Sequence, residues 1–278
     1  MFFFAEKDRK RYLAVLTDFS FRVTISIEIL FKETGFQIAL LTGGNPMKRL
    51  IKRLFSLCLV AVLCFGAYLV SSGYVMYKNA TRHRSVTEAV TALRRSEKYT
   101  TLEDIPDIYE KAVIATEDHR FYSHPGVDPF SLFRALAENI KTKEFSQGGS
   151  TISQQVAKNM FFTNEKTLAR KVAELFAVYE LEDNYAKNVI LELYMNTVYY
   201  GDGYYCIRDA ARGYFGCLPA EMTDYQCTML AGVPNAPSVY APTKNLELAE
   251  KRQEHVIRRM VDRKVLTQEE ADTILSKR

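Results

Sequence analysis

Two adjacent carboxylates, Glu117 and Asp118, close an apolar helical run, and Phe121, His124, Gly126 and Asp128 follow within a dozen residues. Acidic side chains are unfavourable at the negative end of a helix dipole, so packing alone gives little reason for them there. A positioned carboxylate is a common general base for a hydroxyl nucleophile. A solvated helix end followed by the Pro125-Gly126 turn would produce the same letters, so this stretch needs its neighbours to be interpreted.

Further along, Ser146-Gln147-Gly148-Gly149 is a flexible break, and Thr151-x-x-Gln154 reads as a capping box opening the next helix. Gln154 and Lys158 then lie four apart on one polar face, as do Gln155 and Asn159. Arg170, Lys171 and Glu174 stand three and four apart on one side of a later helix. As surface ion pairs they would contribute only a few tenths of a kcal/mol. Glu192 and Asn196 are again four apart, with solvation as the plain reading.

The elements that must position these groups read as helix after helix. Asp104 and Pro106 open one that runs to Glu117, and Asp128-Pro129 starts another with Phe130, Phe133, Ala137 and Ile140 as its apolar stripe. That stripe ends in a basic and aromatic segment around Lys141, Lys143 and Phe145. Residues 139–149 are therefore expected to be mobile and to meet a bilayer surface, an ordinary core-facing helix being the alternative. Periodicity predicts helices over 168–183, with Leu168, Val172, Leu175 and Tyr179 inward, and over 187–200. It predicts others from Ile207, over 218–231, 246–264 and 268–277, with a rigid Pro-marked loop over 235–245. No window alternates with period two and no internal repeat or Gly-rich nucleotide fingerprint appears, so the fold class is all-α.

Before the folded part, residues 54–77 carry no charge. A helix of about 24 residues is roughly 36 Å long, enough to cross a hydrocarbon core with some tilt. A cleaved signal peptide has the same basic-then-apolar order, but this run is long for one and lacks a small-x-small cleavage site. A retained anchor is expected. Lys48, Arg49, Lys52 and Arg53 precede it, which places the N-terminus inside the cytoplasmic membrane and the folded domain outside. The apolar pieces of residues 1–46 are too short to span a bilayer, while Met47-Lys-Arg looks like a natural start. Translation from Met47 is expected, a cytoplasmic extension being the alternative. The resulting division is a doubtful extension at 1–46, an anchor and linker at 47–84, and a folded domain at 85–278.

Composition excludes several classes. Charged residues at 25% and hydrophobic ones at 47% describe a folded chain, and a formal charge of +4 without a basic stripe argues against nucleic acid. Trp is absent while Tyr and Phe number 17 each, so aromatic packing falls to those two. The five Cys show neither paired zinc spacing nor a disulfide framework, and no metal site is assigned.

Taken together, residues 102–275 resemble the peptidoglycan glycosyltransferases of glycosyltransferase family 51. Glu117-Asp118-x-x-Phe121-x-x-His124-x-Gly126 matches the first family motif and Gly148-Gly149-Ser150-Thr151-Ile152-Ser153-Gln154-Gln155 the second. Arg170-Lys171-x-x-Glu174 matches the third and Lys187-x-x-Ile190-x-Glu192-x-Tyr194-x-Asn196 the fourth. The fifth departs from the pattern: Arg252 takes the first of two Arg places and Gln253 the second, which puts one phosphate or structural contact in question. Cys217 stands where similar proteins commonly carry Lys. No transpeptidase domain follows, so the resemblance is to the single-domain members.

The resemblance implies a two-lobed, lysozyme-like fold after one transmembrane helix, and an inverting transfer from a lipid pyrophosphate donor. The donor would be a lipid-linked glycan strand and the acceptor lipid II, giving β-1,4-linked glycan and undecaprenyl pyrophosphate. Glu117 would be the general base and Glu174 the second catalytic carboxylate, near the leaving group. Lys158, Arg170 and Lys171 would hold the pyrophosphate, and Ser150, Thr151, Gln154 and Gln155 sugar or phosphate oxygens. Asp118, His124, Asn196 and Arg252 complete the implied substrate-binding set. No cofactor is required, a divalent cation is compatible, and the partners implied are the membrane and a transpeptidase or other cell-wall synthesis proteins. Two rival readings stay open: a lytic muramidase of similar fold, and a degenerate scaffold.

Overall fold

The computed structural model describes residues 46–131, 149–163 and 165–277. The expectations about residues 1–45 and about most of the 139–149 segment lie outside these. The chain divides into two units, Met1–Gly66 and Ala67–Arg278.

The first described element is helix α1, Pro46–Ala80. Its stretch Leu50–Ala80 has a mean hydropathy of 2.4 and is long and apolar enough to cross a membrane. In the first unit its large side chains, including Leu54, Phe55, Leu57 and Val62, stay exposed. That fits a helix whose apolar surface is left for lipid. The uncharged run 54–77 falls inside this helix, which extends beyond it at both ends.

The second unit is helical wherever it is described. After α1 come α2 (Val86–Arg94), α3 (Asp107–Glu117), α4 (Ile152–Phe161), α5 (Leu168–Asn184) and α6 (Lys187–Met195). Then follow α7 (Ile207–Phe215), α8 (Asp224–Gly232), α9 (Pro237–Tyr240), α10 (Leu246–Asp262) and α11 (Gln268–Ser276). Local chemistry fixes most starts. Capping boxes open α2 (Ser85 with Glu88), α4 (Thr151 with Gln154), α8 (Thr223 with Gln226) and α11 (Thr267 with Glu270). Each satisfies two backbone N–H groups that the first helical turn leaves orphaned.

Helix α3 packs on α8 and α10, while α4 packs on α5 and α6. Between them lies a core that includes Tyr109, Phe121, Ile152, Leu181, Leu193 and Tyr200, all fully buried. Two buried phenols, Tyr109 and Tyr200, satisfy each other at 2.7 Å. The core and the site stand on the same few elements, so the site is held by packed helix ends rather than by long loops.

Four expectations need correction. Helix α5 is turned the other way: Arg170, Ala173, Glu174, Ala177, Val178 and Leu181 face inward, while Leu168, Leu175 and Tyr179 are exposed. The small Ala173 and Ala177 let neighbouring backbones approach, a preference that counting large apolar side chains misses. Helix α6 ends at Met195: Asn196 N–H still donates to the Glu192 carbonyl, but Thr197 and Val198 then both donate to that of Tyr194 as the chain tightens into turns. The 218–231 helix is a short 3-10 turn at Pro219–Glu221 and then α8, recapped by Thr223. The loop at 235–245 contains α9.

Candidate active site

Asp118 is the junction of the site. Its backbone caps the C-terminus of α3, and its side chain accepts from the Ile152 N–H, the first of α4, at 3.1 Å. Its two oxygens also lie 3.0 Å from His124 Nε2. A carboxylate belongs at the N-terminus of α4, so Asp118 satisfies that helix rather than opposing α3. A second tie fixes the same junction: Thr151 Oγ1 donates to the Gly126 carbonyl at 2.5 Å. Gly126 has φ 87°, and a Cβ there would fall 2.5 Å from Val178 Cγ1, so only glycine permits this approach.

These ties leave Glu117, at the end of α3, facing an open polar cavity of about 360 Å³. Gln155 Nε2 donates to Glu117 Oε2 at 2.9 Å, and Arg252 Nη2 lies 4.0 Å from Oε1. Arg252 is itself fixed, donating through Nε to the Gly232 carbonyl at 3.2 Å with its guanidinium 5.7 Å from the Tyr240 ring centre. The carboxylate is thus held by an amide on one oxygen and a guanidinium near the other. Beneath it, burial and the Glu117 charge hold the Tyr194 phenol far above its ordinary range, so it stays neutral.

Across the cavity stand Lys158 on α4 and Arg170 and Lys171 on α5. Glu174, fully buried one turn on, pairs with Arg170 and, at 2.9 Å, with Lys171. Lys171 also reaches Ser150 Oγ at 3.4 Å. Burial, with help from Arg170, lowers the Lys158 ammonium, and burial, Arg170 and Lys158 lower that of Lys171. One carboxylate therefore pairs with two of three neighbouring cations, and the cluster keeps positive charge for an incoming anion.

The cavity brings together Glu117, Asp118, Ser150, Thr151, Gln154, Gln155, Lys158, Arg170, Lys171 and Arg252 from the expected set. Within it, several polar groups are already engaged: Thr151 with Gly126 and Gln154 N, and the Gln154 carbonyl with Thr151 N. Glu174 lies under the cations rather than on the cavity wall, and buried His124 lies behind Asp118. Asn196 is elsewhere, its amide clamped to both backbone polar groups of Thr100 at 2.9 and 2.8 Å. Glu192 sits beside it, accepting from Tyr99 Oη at 2.7 Å and from Leu102 N at 3.2 Å. Gln253 is buried away from the cavity, donating to the Tyr225 carbonyl and Thr228 Oγ1 and so tying α10 to α8.

Sequence reasoning missed His119, Pro234, Asn235, His255 and Arg259 on the cavity wall. Two of these were within reach, since His255 and Arg259 follow Arg252 by three and seven on the same face of α10. The Pro234-Asn235 turn carries no such signal. Glu182 was missed as well; it accepts from Ser153 Oγ and Lys187 Nζ, while that ammonium sits 4.5 Å above the Phe121 ring. Among the described residues, no group of three His, Cys, Asp or Glu side chains is placed to hold a metal ion.

An all-helical fold with a carboxylate facing a cationic cavity defines a glycan-transfer domain of lysozyme-like type. Residues 83–261 match the Transglycosylase family model, and the chain belongs to that family of peptidoglycan glycosyltransferases. A Cupriavidus necator protein with a transglycosylase name is 40% identical over 216 residues, covering 78% of this chain and 91% of that one. Penicillin-binding protein 1A of Neisseria lactamica is 41% identical over 179 residues, and penicillin-binding protein 1A/1B of Bacillus subtilis 44% over 160. These alignments cover 64% and 57% of this chain but only 22% and 18% of the penicillin-binding proteins. The family polymerises peptidoglycan glycan, and the apolar α1 suits a membrane-anchored member.

Proposed function

We propose that the chain polymerises lipid II at the outer face of the cytoplasmic membrane, with Glu117 as general base. The acceptor 4-hydroxyl attacks the anomeric carbon of the lipid-linked donor. As the new C1–O4 bond forms with inversion, the hydroxyl proton passes to Glu117. The C1–O bond to phosphate breaks, and its electron pair leaves with undecaprenyl pyrophosphate. Lys158, Arg170 and Lys171 meet the charge that grows on that leaving group, in a cavity where fixed cations act without reorganising. Arg170 offers a planar fork to phosphate oxygens and the two lysines act as point charges. Glu174 orients the cluster from beneath.

The single observation that supports this most is the opposition of Glu117, held by Gln155 and Arg252, to three cations, two of which share one buried carboxylate. A muramidase instead needs a carboxylic acid poised to protonate a sugar oxygen and has no use for such a cluster. Asp118, the other acid on the cavity wall, is committed to His124 and to the start of α4. Arg252 here positions the base, and a transpeptidase is the natural partner for the uncrosslinked product. Incubating the purified chain with labelled lipid II tests the proposal. Polymer formation agrees with it, whereas cleavage of preformed glycan, or no reaction, rejects it.

A further inference from the structure

The face of α5 that the fold turns outward is its most apolar one. Leu168, Val172, Leu175 and Tyr179 recur at intervals of four, three and four, which is one side of a helix. Leu168 is 61% exposed, Leu175 40% and Tyr179 73%. Such a stripe on a folded domain marks something that covers it.

The middle of the stripe shows what that is. Val172 packs against Gly73 of α1, where an added Cβ would fall 2.6 Å from Val172 Cγ1. One residue round the helix, Phe176 meets Tyr74 edge-on at 5.2 Å and Tyr77 at 5.9 Å, and the Tyr77 hydroxyl donates to Glu180. Lys78 lies over both tyrosine rings, at 5.6 and 5.3 Å. Tyrosines beneath a lysine at the end of an apolar helix form the belt typical of a membrane–water interface. Val172, in the middle of the stripe, and Phe176 beside it place α5 against that belt.

We propose that the Leu168, Leu175 and Tyr179 face of α5 rests in the headgroup and upper acyl region of the bilayer that α1 is built to cross. In this placement the apolar side of the helix is in lipid, with Arg170 and Glu174 on the side turned inward. A helix is roughly 10–12 Å across, so the cations at the start of α5 would stand about one helix diameter from the headgroups. The proposal rests on packing alone and holds whatever reaction the cavity performs.

Because the chain contains no Trp, a single introduced one reports without background. The full chains carrying Leu175→Trp or Tyr179→Trp are reconstituted into vesicles of phosphatidylethanolamine and phosphatidylglycerol. Both side chains are exposed, so the exchange leaves the core untouched. The expected result is blue-shifted emission that iodide quenches weakly and acyl-brominated lipid quenches strongly. Emission at the wavelength of Trp in water, quenched by iodide, overturns the proposal. So does a blue shift without bromine quenching, since the face would then be covered by a second copy or another protein.

Discussion

Glu174 carries two cations on a buried carboxylate, and its neutralisation exposes what each is for. In Glu174→Gln, Arg170 and Lys171 lose their shared partner and repel each other, so the cluster opens. Breaking a buried pair commonly costs about 3–5 kcal/mol, less here because Lys171 is partly solvated. Binding of a phosphoglycolipid donor mimic and polymerisation should both fall, while the proton acceptor stays intact. Unchanged mimic affinity in a folded variant would remove Glu174 from the anion site. Protonation gives a second handle. Burial and like charge lower Lys158 and Lys171, and only the ammonium form attracts an anion. Mimic affinity should therefore fall as pH rises through these depressed values, and the alkaline limb should move to higher pH in Lys158→Arg, because Arg remains charged. A limb that stays in place would assign the titration to another group. At this scale the sequence was informative where roles follow from spacing: Arg170, Lys171 and Glu174 were adjacent on one turn. Glu182, which gathers Ser153 and Lys187, was silent because Ser153 is 29 residues away and Lys187 lies on the next helix.

Elements explain the residues whose expected and observed places differ. Asn196 was grouped with substrate-binding positions, yet the structure uses both ends of its amide to hold the 96–104 segment against α6. Asn196→Ala should lower stability by about 2 kcal/mol, since two buried backbone groups lose partners. For a domain of this size that corresponds to roughly 4–8 °C in Tm. The KM for lipid II should stay unchanged in the folded fraction, and a raised KM at unaltered Tm would return Asn196 to the substrate. Gln253 follows the same logic: its amide joins α10 to α8, so the departure from a second arginine falls on packing, not on the cavity wall. Helix α5 shows the limit of periodicity. Its apolar interval of three and four was plain, but the buried side carries Ala173, Ala177, Val178 and Leu181 beside Arg170 and Glu174, which the interval of large apolar residues does not reveal. Helix starts were legible because capping boxes are local. Where α6 ends was not, because the 196–200 stretch keeps the same apolar spacing while its backbone turns.

For the whole molecule, the long apolar helix and the polar cavity suit the proposed reaction, in which neither substrate leaves the bilayer. Both proposed substrates carry undecaprenyl chains, so confinement to the surface replaces a search in three dimensions. The basic residues in the first turns of α1, Lys48, Arg49, Lys52 and Arg53, are the reason to expect the domain outside the cytoplasmic membrane. Protease added to intact spheroplasts should digest the region from α2 onward and leave the anchor; full protection would reverse the topology. The all-α class and the apolar span in α1 were readable from the sequence, because helical period and uninterrupted apolarity are local signals. The cavity was readable only as scattered motifs, since Glu117, Lys158, Arg170 and Arg252 meet through contacts that span the chain.

The most direct measurement is lipid II polymerisation by Glu117→Gln, run beside binding of the phosphoglycolipid mimic. The amide keeps the shape and the contact with Gln155 but cannot take the proton from the acceptor hydroxyl. Base assistance is typically worth about 10²–10⁴ in rate, or roughly 3–5 kcal/mol. The account predicts a loss of that size in turnover with mimic affinity nearly intact. Turnover close to that of the unaltered protein, or mimic binding abolished together with activity, would contradict it.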